Sequence, residues 1–320
     1  MRALRFDDHL HLTTDEALPS PTAAEALIRV RLAGICHTDL ELTHGYMGFS
    51  GILGHEFVGE IVQGSDEWPR GTRVVGEINI ACGKCEYCLG GIPSQCLNRS
   101  TLGLSNYGGT FTDHMRLPFA NLHRVPDSVT DEQAVFTEPL AAALQVPELA
   151  TIRPSDRVVL IGAGKLGLLI AQVLHRIGCD LAVIVRKERP KRLLAQWGIA
   201  TIDAQTLPEK SRLRSAHIVV DATGNAEGFA LGLDIVRPRG TIVLKSTYAH
   251  LPTVNLSKVV VDEIKIVGSR CGPFDAALRM LQSKQVDVTS LIEATYSLDD
   301  ALQAFDHAAQ SGVLKVLLKP

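Results

Sequence analysis

The chain of 320 residues is 46% hydrophobic and 21% charged, long enough for two ordinary domains or one large one and far from the composition of disordered chains. Its 32 Lys and Arg against 35 Asp and Glu give a net charge of −3, which excludes a general electrostatic attraction to nucleic acid or to an anionic membrane. No run approaches the roughly 18 apolar residues of a membrane span, and the opening MRALRFDDHLHLTTDE lacks an apolar signal core. A cytoplasmic protein with a small-molecule partner is expected.

Up to about residue 130 the chain reads as short strands bounded by turn residues: AEALIRVRLAGI, HEFVGEIVQG, GTRVVGEI and GGTFTDHMRLP. DEQAVFTEPLAAALQVPELA then reads as one helix. Strands RVVLIG, LAVIV, AHIVVDAT and GTIVLKS alternate with helices KLGLLIAQVLHRIG, RPKRLLAQWG and AEGFALGLDIV. That alternation predicts βαβ units and a parallel sheet. RVVLI and AHIVV are nearly all apolar, as strands covered on both faces should be. Two helical patterns, FDAALRMLQS and LDDALQAFDHAAQS, and a strand VLKVLLK close the chain.

Seven cysteines in a reducing compartment call for metal binding or plain burial. Cys82, Cys85 and Cys88 are separated by two residues each in CGKCEYC, and seven more residues separate Cys88 from Cys96. Four such thiolates converge on one tetrahedral Zn²⁺ and close its shell, which makes the site structural. The competing readings are four unrelated buried cysteines, disfavoured by the spacing, and a nucleic-acid-binding zinc ribbon, disfavoured by the lack of a basic, aromatic flank. A second donor set is dispersed: Cys36 in GICHTDLE, His55 and Glu56 in GHEFVGE, and Glu138 in TEPLAAA. Mixed thiolate, imidazole and carboxylate donors suit Zn²⁺, and three protein ligands leave a position open for catalysis. Each fragment alone is a weak signal, since a lone Cys or His is more often packed or exposed than ligating.

RVVLIGAGKLGLL places Gly162, Gly164 and Gly167 directly after an apolar strand, with Lys165 and Leu166 opening a helix. This strand, turn and helix context points to dinucleotide binding, with pyrophosphate against the helix N-terminus. Where NAD-binding folds carry an acidic residue for the ribose 2′-hydroxyl, nineteen residues after Gly167, stands Arg186, followed by Lys187, Arg189 and Lys191. Arg binds a 2′-phosphate that an acid repels, so NADP(H) is favoured over NAD(H). The plainer reading is a solvated basic helix face.

Cys36, GHE at 54–56, the four-cysteine loop, TEPLA around Glu138 and GAGKLG stand in an order that resembles the zinc-dependent medium-chain dehydrogenase/reductase family, the alcohol, polyol, threonine and glucose dehydrogenase group. The resemblance covers essentially the whole chain. It implies an α/β protein with a GroES-like β-rich catalytic domain from 1–130 and 271–320, a structural zinc lobe at 82–96, and a Rossmann doubly wound parallel sheet at 131–270. The active site would lie in the cleft. It further implies two zinc ions per chain, with Cys36, His55 and Glu138 as catalytic ligands and Glu56 ligating directly or through water. Asp39 resembles the acid that orients the ligating His, and Thr38 the hydroxyl that passes on the substrate proton. Where several relatives end that relay with His, this chain has Glu41; Glu41, His44 or water takes the proton. Thr223 and Lys315 match cofactor-binding positions, Lys315 beside the cofactor phosphates. The implied chemistry is reversible hydride transfer between a primary or secondary alcohol, polyol or sugar and its carbonyl, by a homodimer or homotetramer. The alternatives are a zinc- and NADPH-binding redox sensor without turnover and a zinc-free quinone or enoyl reductase on the same fold. Cys179 and Cys271 remain outside both metal sets, and no disulfide is required.

Overall fold

The computed structural model describes residues 1–205, 207, 214–245, 247 and 253–320. The chain divides into two compact units. One comprises 1–138, 274–284 and 291–320, and the other 139–273 and 285–290.

In the first unit, strands Leu122–Arg124, Arg73–Gly76, Glu56–Gln63, Glu25–Gly34, Lys315–Lys319 and Ile292–Ser297 follow one another across a sheet. His114–Pro118 also pairs with Glu25–Gly34. The Glu25–Gly34 strand alternates buried Ala26, Ile28, Val30 and Leu32 with Arg29 and Arg31 on the wetter face. Its register sets Gly34 opposite Glu56 on one side and opposite Leu317 on the other. A two-stranded ladder, Asn79 on Thr101 and Ile80 on Ser100, closes the loop that carries the four cysteines.

The second unit is a six-stranded parallel sheet. Its order is Ala200–Asp203, Asp180–Val185, Arg157–Ile161, Ala216–Asp221, Val236–Leu244 and Lys265–Gly268. Numbered within the unit this is 3-2-1-4-5-6, the doubly wound dinucleotide-binding order. Val159, Ile161, Ile184, Val219, Phe229, Leu233 and Ile242 form one buried cluster. Each such side chain removed from water contributes roughly 1.5–3 kcal/mol.

One expected element divides in two. DEQAVFTEPLAAALQVPELA forms helices Asp131–Ala134 and Thr137–Leu149. Pro139 has no N–H to give the carbonyl of Val135, and it falls in the first turn of the second helix, where no such bond is needed. Among the described residues no helix is long and apolar enough to cross a membrane.

Candidate functional site

Cys36 is the residue before helix His37–Thr43, in extended conformation, and its backbone N–H donates to Asp39 Oδ2 at 2.8 Å. Asp39 is fully buried, and its Oδ1 lies 3.2 Å from His55 Nδ1. One carboxylate thus caps the helix that carries Cys36 and fixes the ring that stands beside it. With Nδ1 turned to Asp39, Nε2 of His55 is the nitrogen left to ligate. The sulfur of Cys36, a nitrogen of His55 and a carboxylate oxygen of Glu56 all lie within 4.8 Å of one another. These donors fit a zinc ion in charge and type.

Glu56 is 1% and Lys315 2% exposed, and the Lys315 ammonium is ion-paired to Glu56 Oε2. Burial alone would push this lysine down. The negative charges of Glu56, Cys36 and Glu138 outweigh it and hold the ammonium above its ordinary range. Burial likewise opposes the His55 imidazolium, and Asp39 and Cys36 overcome it, so the metal-free ring holds its proton well above its usual range. A metal ion at this cluster must displace that proton. Glu138, half-buried in the first turn of helix Thr137–Leu149, acts on Lys315 through its charge. The Lys315 ammonium is thus held beside the Glu56 carboxylate of the donor cluster.

Thr38 Oγ1 lies 3.8 Å from Cys36 Sγ. Glu41 Oε1 pairs with His37 Nε2 at 3.3 Å, and His44 is exposed at the end of the same helix.

The second donor set is equally definite. Sγ atoms of Cys82, Cys85, Cys88 and Cys96 lie within 4.8 Å of one another, with Cys85 3.4 Å from Cys88 and 3.8 Å from Cys96. Zn–S bonds of about 2.3 Å require S···S edges of about 3.8 Å, so the loop already has the dimensions of a tetrahedral thiolate site. Backbone N–H groups of Lys84 and Cys85 draw the Cys82 thiol down to about 6. Desolvation and the adjoining sulfurs of Cys85 and Cys96 push Cys88 up to about 12.

In the parallel-sheet unit, Gly162 has φ +96°, and a Cβ there would lie 2.9 Å from the Ala222 carbonyl oxygen. A Cβ on Gly167 would fall on the Gly162 carbonyl, whereas nothing lies within 4 Å of one on Gly164. The turn is thus packed on one side and open beside Gly164, where helix Lys165–Ile177 begins with Lys165, Leu166 and Gly167. Thr223 donates both its N–H and its hydroxyl to Asp221 Oδ1, at 3.0 and 2.7 Å, fixing the neighbouring strand end. Arg186 and Lys187 are exposed directly after strand Asp180–Val185. Lys191 points elsewhere, pairing with Asp203 at 2.7 Å and Glu188 at 2.9 Å. Gly34 was not singled out by its sequence; its only signal is its place two residues before Cys36.

Comparison with known proteins agrees with this construction. The alcohol dehydrogenase GroES-like domain family matches residues 22–127, and the zinc-binding dehydrogenase family matches residues 166–283. A sorbitol dehydrogenase of Halalkalibacterium halodurans is 31% identical over 94% of this chain and 93% of its own length. D-arabinitol dehydrogenase 1 of Uromyces fabae is 29% identical over 92% of this chain and 90% of its own. The structure of an Escherichia coli alcohol dehydrogenase, RspB, complexed with NADH superposes with a TM-score of 0.92 at 25% identity, covering 100% of this chain and 99% of that one. The chain belongs to the zinc-type medium-chain dehydrogenase/reductase family and is an alcohol dehydrogenase-type oxidoreductase.

Proposed function

We propose that this protein transfers a hydride reversibly between a polyol or sugar alcohol and its carbonyl, using NADP(H) in preference to NAD(H) and two zinc ions. Cys36, His55 and a carboxylate of Glu56 or Glu138 would hold one ion, and Cys82, Cys85, Cys88 and Cys96 the other. The observation that carries the reading is the convergence of half-buried Cys36 with buried His55 and Glu56, their donor atoms within 4.8 Å of one another. Bound there, zinc supplies Lewis-acid polarisation of the substrate oxygen. Asp39 keeps the His55 ring in one tautomer and orientation. Thr38, partly exposed beside Cys36, would be the hydroxyl that takes the substrate proton. Glu41, His44 or water passes it on.

The Gly162 to Gly167 turn and the N-terminus of helix Lys165–Ile177 suit a pyrophosphate. Exposed Arg186 and Lys187, at a strand end without an acidic residue, favour a 2′-phosphate. Assembly into a cytoplasmic homo-oligomer belongs to the same reading, and Val260 and Val261, exposed on helix Leu256–Val261, are apolar surface for it.

A panel of polyols, sugars and simple alcohols run with both cofactors, alongside metal analysis, tests the proposal. Turnover of polyols with two zinc ions per chain is expected; a metal-free protein with full activity would overturn it. Arg186→Asp should shift the NADP/NAD affinity ratio by roughly 10–100-fold toward NAD, about 1.4–2.8 kcal/mol for a charge-assisted contact replaced by repulsion. Tighter NAD than NADP binding by the unaltered protein would end the cofactor assignment.

A further inference from the structure

The Lys315–Glu56 pair is built by three neighbouring strands. Lys315 begins strand Lys315–Lys319, which pairs with Glu25–Gly34, which pairs with Glu56–Gln63. Between lysine and glutamate the middle strand presents Gly34, a residue with no side chain. A Cβ at that position would fall on Glu56 Oε2 and lie 3.3 Å from Lys315 Cδ. The gap at Gly34 is what admits the ion pair. The ammonium also lies 3.5 Å from the Ile35 carbonyl, one residue before Cys36.

Two buried charges removed from water cost several kcal/mol each, so such a pair is weak evidence for a role in stability alone. Its position suggests another role. A carboxylate has two oxygens and can give a metal one or both. Here Oε2 is committed to Lys315, which leaves Oε1.

We propose that Lys315 is a positioning residue for the metal cluster: by holding Glu56 Oε2, it limits that carboxylate to a single donor oxygen and keeps a coordination position free. Charge agrees. The ammonium offsets part of the negative charge of Cys36, Glu56 and Glu138 that acts on it, and removing it leaves the loaded site more anionic. The inference rests on the metal reading of the Cys36, His55 and Glu56 cluster.

Cadmium exchanged into the full chain gives separate NMR resonances for a four-sulfur and a mixed-donor site, which reads the two clusters independently of turnover. In Lys315→Met the mixed-donor resonance should move to higher shielding as the second oxygen joins, while the four-sulfur resonance stays. Zinc affinity at the mixed cluster, measured by chelator competition, should rise about tenfold from the lost cationic repulsion. Lys315→Arg should restore the resonance of the unaltered protein. In a Glu56→Gln background, Lys315→Met should move nothing.

Glu56→Gln alone, close in shape, tests the idea even if the lysine variants do not fold. Its amide oxygen is also a single donor, so its resonance should stay near that of the unaltered protein. A more shielded resonance in the unaltered protein than in Glu56→Gln would mean that Glu56 already gives both oxygens, and would overturn the inference. So would a Lys315→Met resonance and affinity unchanged from the unaltered protein. Absence of any mixed-donor resonance would instead remove the metal reading itself.

Discussion

The two donor clusters of the β-rich unit solve opposite problems with overlapping chemistry. The four-cysteine loop uses like donors, mostly half-buried, from one stretch of 15 residues closed by a short ladder. The other cluster uses unlike donors, brought together by the register of paired strands, with Asp39 and Lys315 each holding one of them. The first is complete in itself. The second is held by groups that do not ligate, which is the arrangement expected where a ligand site must stay open.

The sharpest way to break this contrast is to remove one donor from each cluster. Cys36→Ser should lower turnover on the order of a thousandfold or more, with one zinc lost and NADPH binding unchanged. Full activity in that variant would dissolve the distinction. Next in size, Asp39→Asn keeps an oxygen to cap the helix and loses the charge facing His55. Metal affinity or turnover should fall roughly 10–100-fold, with little change in thermal midpoint. A large loss of stability would make Asp39 a folding residue first. Cys85→Ser should act the other way round. Its cost is stability, about 2–3 kcal/mol or on the order of 5–10 °C in Tm, with turnover per folded molecule retained at low temperature.

The smallest effect is chemical. After chelation at neutral pH, Cys82, with its pKa drawn down to about 6, is largely thiolate, while Cys88, pushed up to about 12, stays protonated. Alkylation followed by mass spectrometry should label Cys82 well before Cys88, and the difference should shrink as pH falls below about 6 and Cys82 also protonates. Equal labelling at neutral pH would remove the asymmetry within the loop.

How far the sequence discloses all this depends on distance along the chain. RVVLI and AHIVV are legible as central strands because covered parallel strands need apolar residues on both faces. The cysteine loop is legible because its ligands are close in sequence. Cys36 is joined to the adjacent His55 and Glu56 only by pairing across strands, which no local pattern encodes, so family resemblance rather than spacing gathers the three. The partner of Glu56 is 259 residues away, and position alone could not distinguish a lysine for phosphate from one for a carboxylate. Lys191 belonged by sequence to a basic cluster, and only the fold shows that Asp203 holds it. Strands Ala200–Asp203 and Lys265–Gly268 and helix Leu256–Val261 were also missed, being short and weakly periodic.

The reach from Glu56 to Lys315 has a consequence for how the protein is made. Residues 139–273, the greater part of the parallel-sheet unit, lie between these two in sequence. A ribosome adding roughly 5–20 residues per second emits Glu56 many seconds before its counter-ion exists. Until then strand Glu25–Gly34 lacks its neighbour Lys315–Lys319, and the β-rich sheet is incomplete. Completion of the β-rich sheet is therefore a late event in biogenesis, whereas the four cysteines of the loop emerge together within 15 residues.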